Sequence, residues 1–171
     1  HGGELAGVDL VVTEFFTWTA GTQSGPGFTE LASGASGQIR EIGDKILAGR
    51  AFRNVGTLSW IDGDIRVGGA GIVNLSGGII NLNPTVESVG AFTGPGVMTI
   101  LPGYGVIDPV IDNLGRIVVG EFGSTARISI GIKNSGIIQL LPLSDLNLVG
   151  GLQQTADGSV TGEGTIHFIA D

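Results

Sequence analysis

Asn54-Val55-Gly56-Thr57-Leu58, Asn113-Leu114-Gly115-Arg116-Ile117 and Asn134-Ser135-Gly136-Ile137-Ile138 are three versions of one pattern: Asn, any residue, Gly, any residue, then a branched or apolar residue. With Asn74 and Gly94 they set turn signals that return at a nearly constant interval of about twenty residues. Spacing this even marks a repeat architecture. Asn and Gly both tolerate left-handed backbone, so each pattern reads as a sharp corner. Gly25-Pro26-Gly27, Gly69-Ala70-Gly71, Gly94-Pro95-Gly96 and Gly162-Glu163-Gly164 supply a second kind of corner.

Short strand-like runs lie between the corners. Leu58-Ser59-Trp60, Ile79 to Leu82, Val97 to Ile100, Ile117 to Val119 and Ile137 to Leu140 form one series, read as equivalent places in successive turns. A second series has Ile65, Val86, Ile107 and Ile128, equally spaced at one repeat length. Short strands returning at this interval can stack turn upon turn in parallel ladders, with apolar side chains piled inside. The expected fold is an all-β, single-stranded parallel β-helix, a β-solenoid with turns of about twenty residues filling 1–171 as one domain. A sandwich would favour two-residue hairpins, and propeller blades repeat at roughly 40–50 residues. One stretch is ambiguous: Ile39, Ile42 and Ile46 suit one face of a short capping helix, which Gly43 weakens.

Composition agrees. Among 171 residues 32 are glycine, 42% are hydrophobic and only 14% are charged, too apolar for disorder and too glycine-rich for a helical protein. A net charge of −8, with Lys45 and Lys133 the two lysines, argues against nucleic acid or anionic lipid as partner. The absence of cysteine excludes disulfides and thiolate metal sites. No apolar run of eighteen residues suggests a membrane span. The start at His1-Gly2-Gly3 and the strand-like sequence at both ends suggest a processed or excised piece of a larger protein.

The run from Gly43 to Trp60, together with Phe16-Thr17-Trp18-Thr19-Ala20-Gly21-Thr22-Gln23-Ser24-Gly25-Pro26-Gly27, resembles β-helical repeats of large bacterial surface and secreted proteins of the filamentous-haemagglutinin or adhesin type. Those repeats read as an aromatic strand, a Gly-Gly or Gly-Thr turn, then a Gly-x-Gly corner. The resemblance covers the chain well as far as Ile80 and loosely beyond it, and Trp60-Ile61-Asp62-Gly63-Asp64 departs from the neutral Thr-Gly-Gly version. It implies a right-handed β-helix displayed outside the cell.

Candidates for chemistry are few. Asp62 and Asp64 flank Gly63 and could offer oxygens to calcium, but the further acidic ligands of a calcium loop are missing and a turn explains them more simply. Calcium-binding nonapeptide repeats would need an Asp after Gly-x-Gly in register, and none recurs. Asp108, Asp112, Arg116 and Arg127 make the best cluster for uronate chemistry on a sheet face, without the motifs of pectate-lyase-like or polygalacturonase-like enzymes. His1 could bind copper through its amine and ring, although the second histidine, His167, lies at the far end of the chain. Trp18, Trp60 and Tyr104 could stack on sugar rings if they face outward; the alternative puts the two tryptophans inside the coil. Ice binding would need a regular threonine rank, and Thr57, Thr85, Thr93 and Thr99 do not keep register with Thr13, Thr17, Thr19 and Thr22.

These observations favour a non-enzymatic structural or adhesive module of an extracellular bacterial surface or secreted protein. Carbohydrate binding or processing on a sheet face is the alternative. No cofactor or metal is implied, and the partners expected are cell-surface glycans, other protein modules or further copies of the chain.

Overall fold

In the computed structural model the residues described are 3–69, 71–82, 98–100, 111–120, 125–128 and 131–169. They contain strands and turns and no helix. Each coil holds three strands. The first is β1 (Glu4–Leu5), β2 (Leu10–Val12) and β3 (Phe15–Trp18); the second is β4 (Gly21–Ser24), β5 (Phe28–Leu31) and β6 (Ser36–Ile39). Next come β7 (Lys45–Ala48), β8 (Ala51–Asn54) and β9 (Thr57–Trp60), then β10 (Ile65–Gly68), β11 (Ile72–Asn74) and β12 (Ile79–Leu82). The fifth is β13 (Met98–Ile100), β14 (Ile111–Asn113) and β15 (Arg116–Val119), and the sixth β16 (Thr125–Ile128), β17 (Ile132–Asn134) and β18 (Ile137–Leu140). Last are β19 (Asp145–Leu148), β20 (Leu152–Gln154) and β21 (Ser159–Gly162), with β22 (Thr165–Phe168) beginning another pass.

Like strands of successive coils pair in parallel, forming three faces of a solenoid. The second face is β2-β5-β8-β11-β14-β17-β20 and the third β3-β6-β9-β12-β15-β18-β21, seven strands each. The first face is divided into β1-β4-β7-β10-β13 and β16-β19-β22. The repeat reads directly from the third face, where Phe16, Gly37, Leu58 and Ile80 are register partners in turn, as are Ile117, Ile138 and Val160, each one repeat length beyond the last.

Period-two alternation sends every second side chain inward. Trp18, Ile39, Trp60, Leu82, Val119 and Leu140 form one buried column down the third face. Thr29, Phe52, Ile72, Ile111 and Ile132 form another down the second. Burying each large apolar side chain contributes about 1.5–3 kcal/mol against the entropy of ordering the chain.

Three expectations change. The stretch 39–47 is not helical: Ile39 ends β6, and Lys45 and Leu47 point inward from β7 while Ile42 is 84% exposed. Gly43 packs so tightly that a Cβ there would come 2.7 Å from the Ala20 Cβ and 2.9 Å from the Thr19 carbonyl oxygen. Second, Met98–Ile100 does not belong with Ile79–Leu82: it pairs with Ile65–Val67 on the first face, while Ile80 pairs directly with Ile117. Gly94, Val86 and Ile107 lie outside the described residues. Third, the glycines of the Asn-x-Gly pattern are not there for left-handed backbone. Gly56, Gly115 and Gly136 have no positive φ, but a Cβ on Gly115 or Gly136 would strike the backbone of the preceding coil, at Gly78 O and Gly115 O respectively.

Candidate functional site

The polar side chains fall into two populations, one consumed by the fold and one offered to solvent. Asn54, Asn74, Asn113 and Asn134 are completely buried. Each side-chain amide donates to the next along the axis: Asn54 Nδ2 to Asn74 Oδ1 at 2.8 Å, Asn74 Nδ2 to Asn113 Oδ1 at 2.7 Å, and Asn113 Nδ2 to Asn134 Oδ1 at 2.6 Å. The rank ends where Asn134 Nδ2 donates to Gln154 Oε1 at 3.1 Å. The same amides hold the neighbouring coil's backbone, as when Asn74 Nδ2 also donates to Arg116 O. The rank begins abruptly because Leu31 precedes Asn54 in the column, leaving Asn54 Oδ1 buried without a hydrogen-bond partner.

Two cations are buried as well. Arg50 donates from Nε to Thr29 Oγ1, from Nη1 to Gly7 O, and from Nη2 to Val8 O and Phe28 O, at 2.8–3.1 Å, tying the third coil to the first two. Lys45 Nζ donates to Glu41 O at 2.7 Å and Gly43 O at 2.8 Å, holding a corner in which Glu41 has φ 67°. Desolvation pulls the Lys45 pKa below its ordinary value against the opposing field of Asp62, Asp64, Glu41 and Asp44. Charge pattern alone gave no sign that either residue points inward; the signal available was their phase with the inward-facing Leu47 and Phe52.

The residues singled out for chemistry do not gather in one place. Trp18 and Trp60 are buried, 5% and 2% exposed, in one column with Ile39 between them, and Trp60 Nε1 donates to Gly63 O at 3.0 Å. Tyr104, Asp108 and His1 lie outside the described residues. Asp62 Oδ1 accepts the Gly63 N–H at 2.7 Å, which caps a corner where Gly63 has φ 83°. Asp112 sits on the second face between Val73 and Lys133, whereas Arg116 sits on the third beyond the corner. His167 is exposed on β22, with Nε2 3.3 Å from Asp145 Oδ1. Among the described residues no group of three or more His, Asp or Glu side chains is placed to hold a metal ion, and no helix is long and apolar enough to cross a membrane.

What faces outward is more regular. Down the third face, Thr17, Gln38, Ser59, Asn81, Val118, Gln139 and Thr161 are successive register partners. Six of the seven are uncharged hydrogen-bonding side chains, about 4.8 Å apart from strand to strand. Neither a threonine ladder nor a charged cluster, this rank is an ordered array of uncharged polar groups along the outward side of the third face. Sequence reading missed it because the phase of each strand, inward or outward, was not assigned.

Comparison with known proteins gives no match, whether to a family model, to a curated protein or to a solved structure.

Proposed function

We propose that the chain is a non-enzymatic structural and adhesive module of an extracellular bacterial surface or secreted protein, as the adhesin-type resemblance of its repeats implies. The observation that carries this reading is the outward rank Thr17-Gln38-Ser59-Asn81-Val118-Gln139-Thr161. Amides and hydroxyls at a fixed short spacing on a stiff face suit repetitive, uncharged hydrogen-bonding partners such as the glycans of a cell surface. Each contact is weak, and the rank adds them by multivalency. Lys45, whose pKa is lowered by burial, is occupied in holding a corner.

The test is binding of the purified chain to a glycan array and to whole cells, with a Gln38→Ala/Asn81→Ala/Gln139→Ala variant as control. The reading expects glycan binding that falls at least tenfold in the variant while its circular dichroism is unchanged. Equal binding by both, or hydrolysis of a bound polysaccharide, would overturn it. Surface exposure is tested separately, by antibody labelling of intact cells of the source organism.

A further inference from the structure

We propose that two copies of this chain pair flank to flank through their second faces, antiparallel about a twofold axis that runs along β11. The order of charges on that face carries the inference. Its outward positions run Glu30, Arg53, Val73, Asp112 and Lys133, successive register partners from the second coil to the sixth. All five are half-buried and alternate along their strands with buried neighbours. The signs read minus, plus, neutral, minus, plus, so reversing the direction of the rank inverts every sign.

Turning a second copy about that axis lays the rank on its own reverse. Glu30 then faces Lys133 of the second copy, Arg53 faces Asp112 of the second copy, and Val73 meets Val73 at the centre, so every charge meets its opposite. A slip of one coil in either direction would set Glu30 against Asp112 or Arg53 against Lys133. Pairing in the parallel sense would set each charge against itself. Repulsion in the alternatives, as much as attraction in this one, fixes orientation and register.

The corner beside the rank supplies apolar contact. Val55, Leu75 and Leu114 follow Asn54, Asn74 and Asn113 in one column, with Leu75 N donating to Asn54 O and Leu114 N to Asn74 O. The same rotation sets Leu75 on Leu75 and Val55 on Leu114, which is 44% exposed. The charges are not already paired along the rank: among the described residues no ion pair joins Glu30 to Arg53 or Asp112 to Lys133. Arg53 lies instead over the Phe28 ring, 3.9 Å from its centroid, and Asp112 Oδ1 has no hydrogen-bond partner. Five coils about 4.8 Å apart make a contact about 20 Å long, narrow enough for a weak, concentration-dependent association. Both copies use the same patch, so the assembly closes at two.

Sedimentation velocity of the purified chain over a range of concentrations is expected to show a monomer–dimer equilibrium that shifts toward monomer as salt is raised. Arg53→Glu and Asp112→Arg each set like charges opposite one another in a dimer of identical copies, and each is expected to weaken association at least tenfold. Mixed in equal amounts, the two variants again place opposite charges at every contact, so a dimer holding one copy of each is expected. That recovery separates pairing from folding, because two misfolded chains would not regain it on mixing. A chain that stays monomeric at every concentration, association that both variants leave unchanged, or a mixture no more associated than either variant alone overturns the proposal.

Discussion

Asn74 Nδ2 donates to Asn113 Oδ1 at 2.7 Å although 39 residues separate them in the chain. Elsewhere in the rank the interval is 20 or 21 residues, as from Asn54 to Asn74 and from Asn113 to Asn134. Two repeat lengths of sequence thus join coils that touch directly, and the buried amide rank crosses that junction without a break.

The middle of the rank should matter more than its start. Asn113→Ala removes the acceptor for Asn74 and the donor to Asn134 Oδ1 and Ile137 O, leaving buried polar atoms unpaired. The expected cost is about 2–3 kcal/mol. Asn54→Ala is expected to cost less, about 1 kcal/mol, because Asn54 Oδ1 already lacks a partner. Urea denaturation of the two variants gives the ordering, and equal costs would count against a continuous rank.

Adjacent glycines at 77 and 78 answer to different constraints. Gly77 has φ 88° with nothing within 4 Å of an added Cβ, whereas a Cβ on Gly78 would run into Asn54 O and, at 2.7 Å, Asn74 Oδ1. Gly77→Asn should be nearly neutral, since Asn accepts left-handed backbone. Gly78→Ala should destabilise by about 2–3 kcal/mol through overpacking. Thermal melts separate the two, and the reverse ordering would contradict the corner geometry.

Lys45 predicts a pH signature. Its folded-state pKa lies below 10.5 because of burial, so between the folded value and 10.5 the unfolded chain binds more protons and stability rises with pH. Lys45→Met removes that titration. The stability of the parent chain minus that of the variant is therefore expected to grow as pH climbs from neutrality toward 10.5. Urea titrations at a series of pH values check this, and a constant or shrinking difference would refute the burial.

Arg50 is expected to govern the N-terminal coils it ties together rather than the whole chain. Arg50→Lys keeps the charge but not the fork that reaches Gly7 O, Val8 O, Phe28 O and Thr29 Oγ1. Amide exchange should speed up at least tenfold in β2 and β3 and change little in β17 and β18. Uniform acceleration along the chain would mean that Arg50 acts on global stability instead.

Much of this architecture was legible in the sequence. The even return of turn signals at Asn54, Asn74, Gly94, Asn113 and Asn134 pointed to stacked parallel coils, and the stacking is there. Periodicity misled at one place for a physical reason. Asn74 and Asn113 are 39 residues apart, close to two repeat lengths, so the spacing of corners could not tell that Ile80 lies beside Ile117 or that Met98 lies beside Ile65. The asparagines read as corner residues because Asn favours turns, yet here they sit at inward strand ends, where an amide both donates and accepts and so forms a rank. The outward rank from Thr17 to Thr161 stayed hidden because its members, Gln38, Ser59 and Asn81 among them, differ in type and share only their phase.

The most direct test of the solenoid as described is a nuclear Overhauser measurement on the isotope-labelled chain, reading cross-peaks from the Asn74 side-chain amide and the Val73 backbone. Direct stacking of the fourth and fifth coils predicts contacts from Asn74 to Asn113 and from Val73 to Asp112. Contacts from Asn74 to Gly94 in their place would contradict it, restoring an uninterrupted twenty-residue repeat.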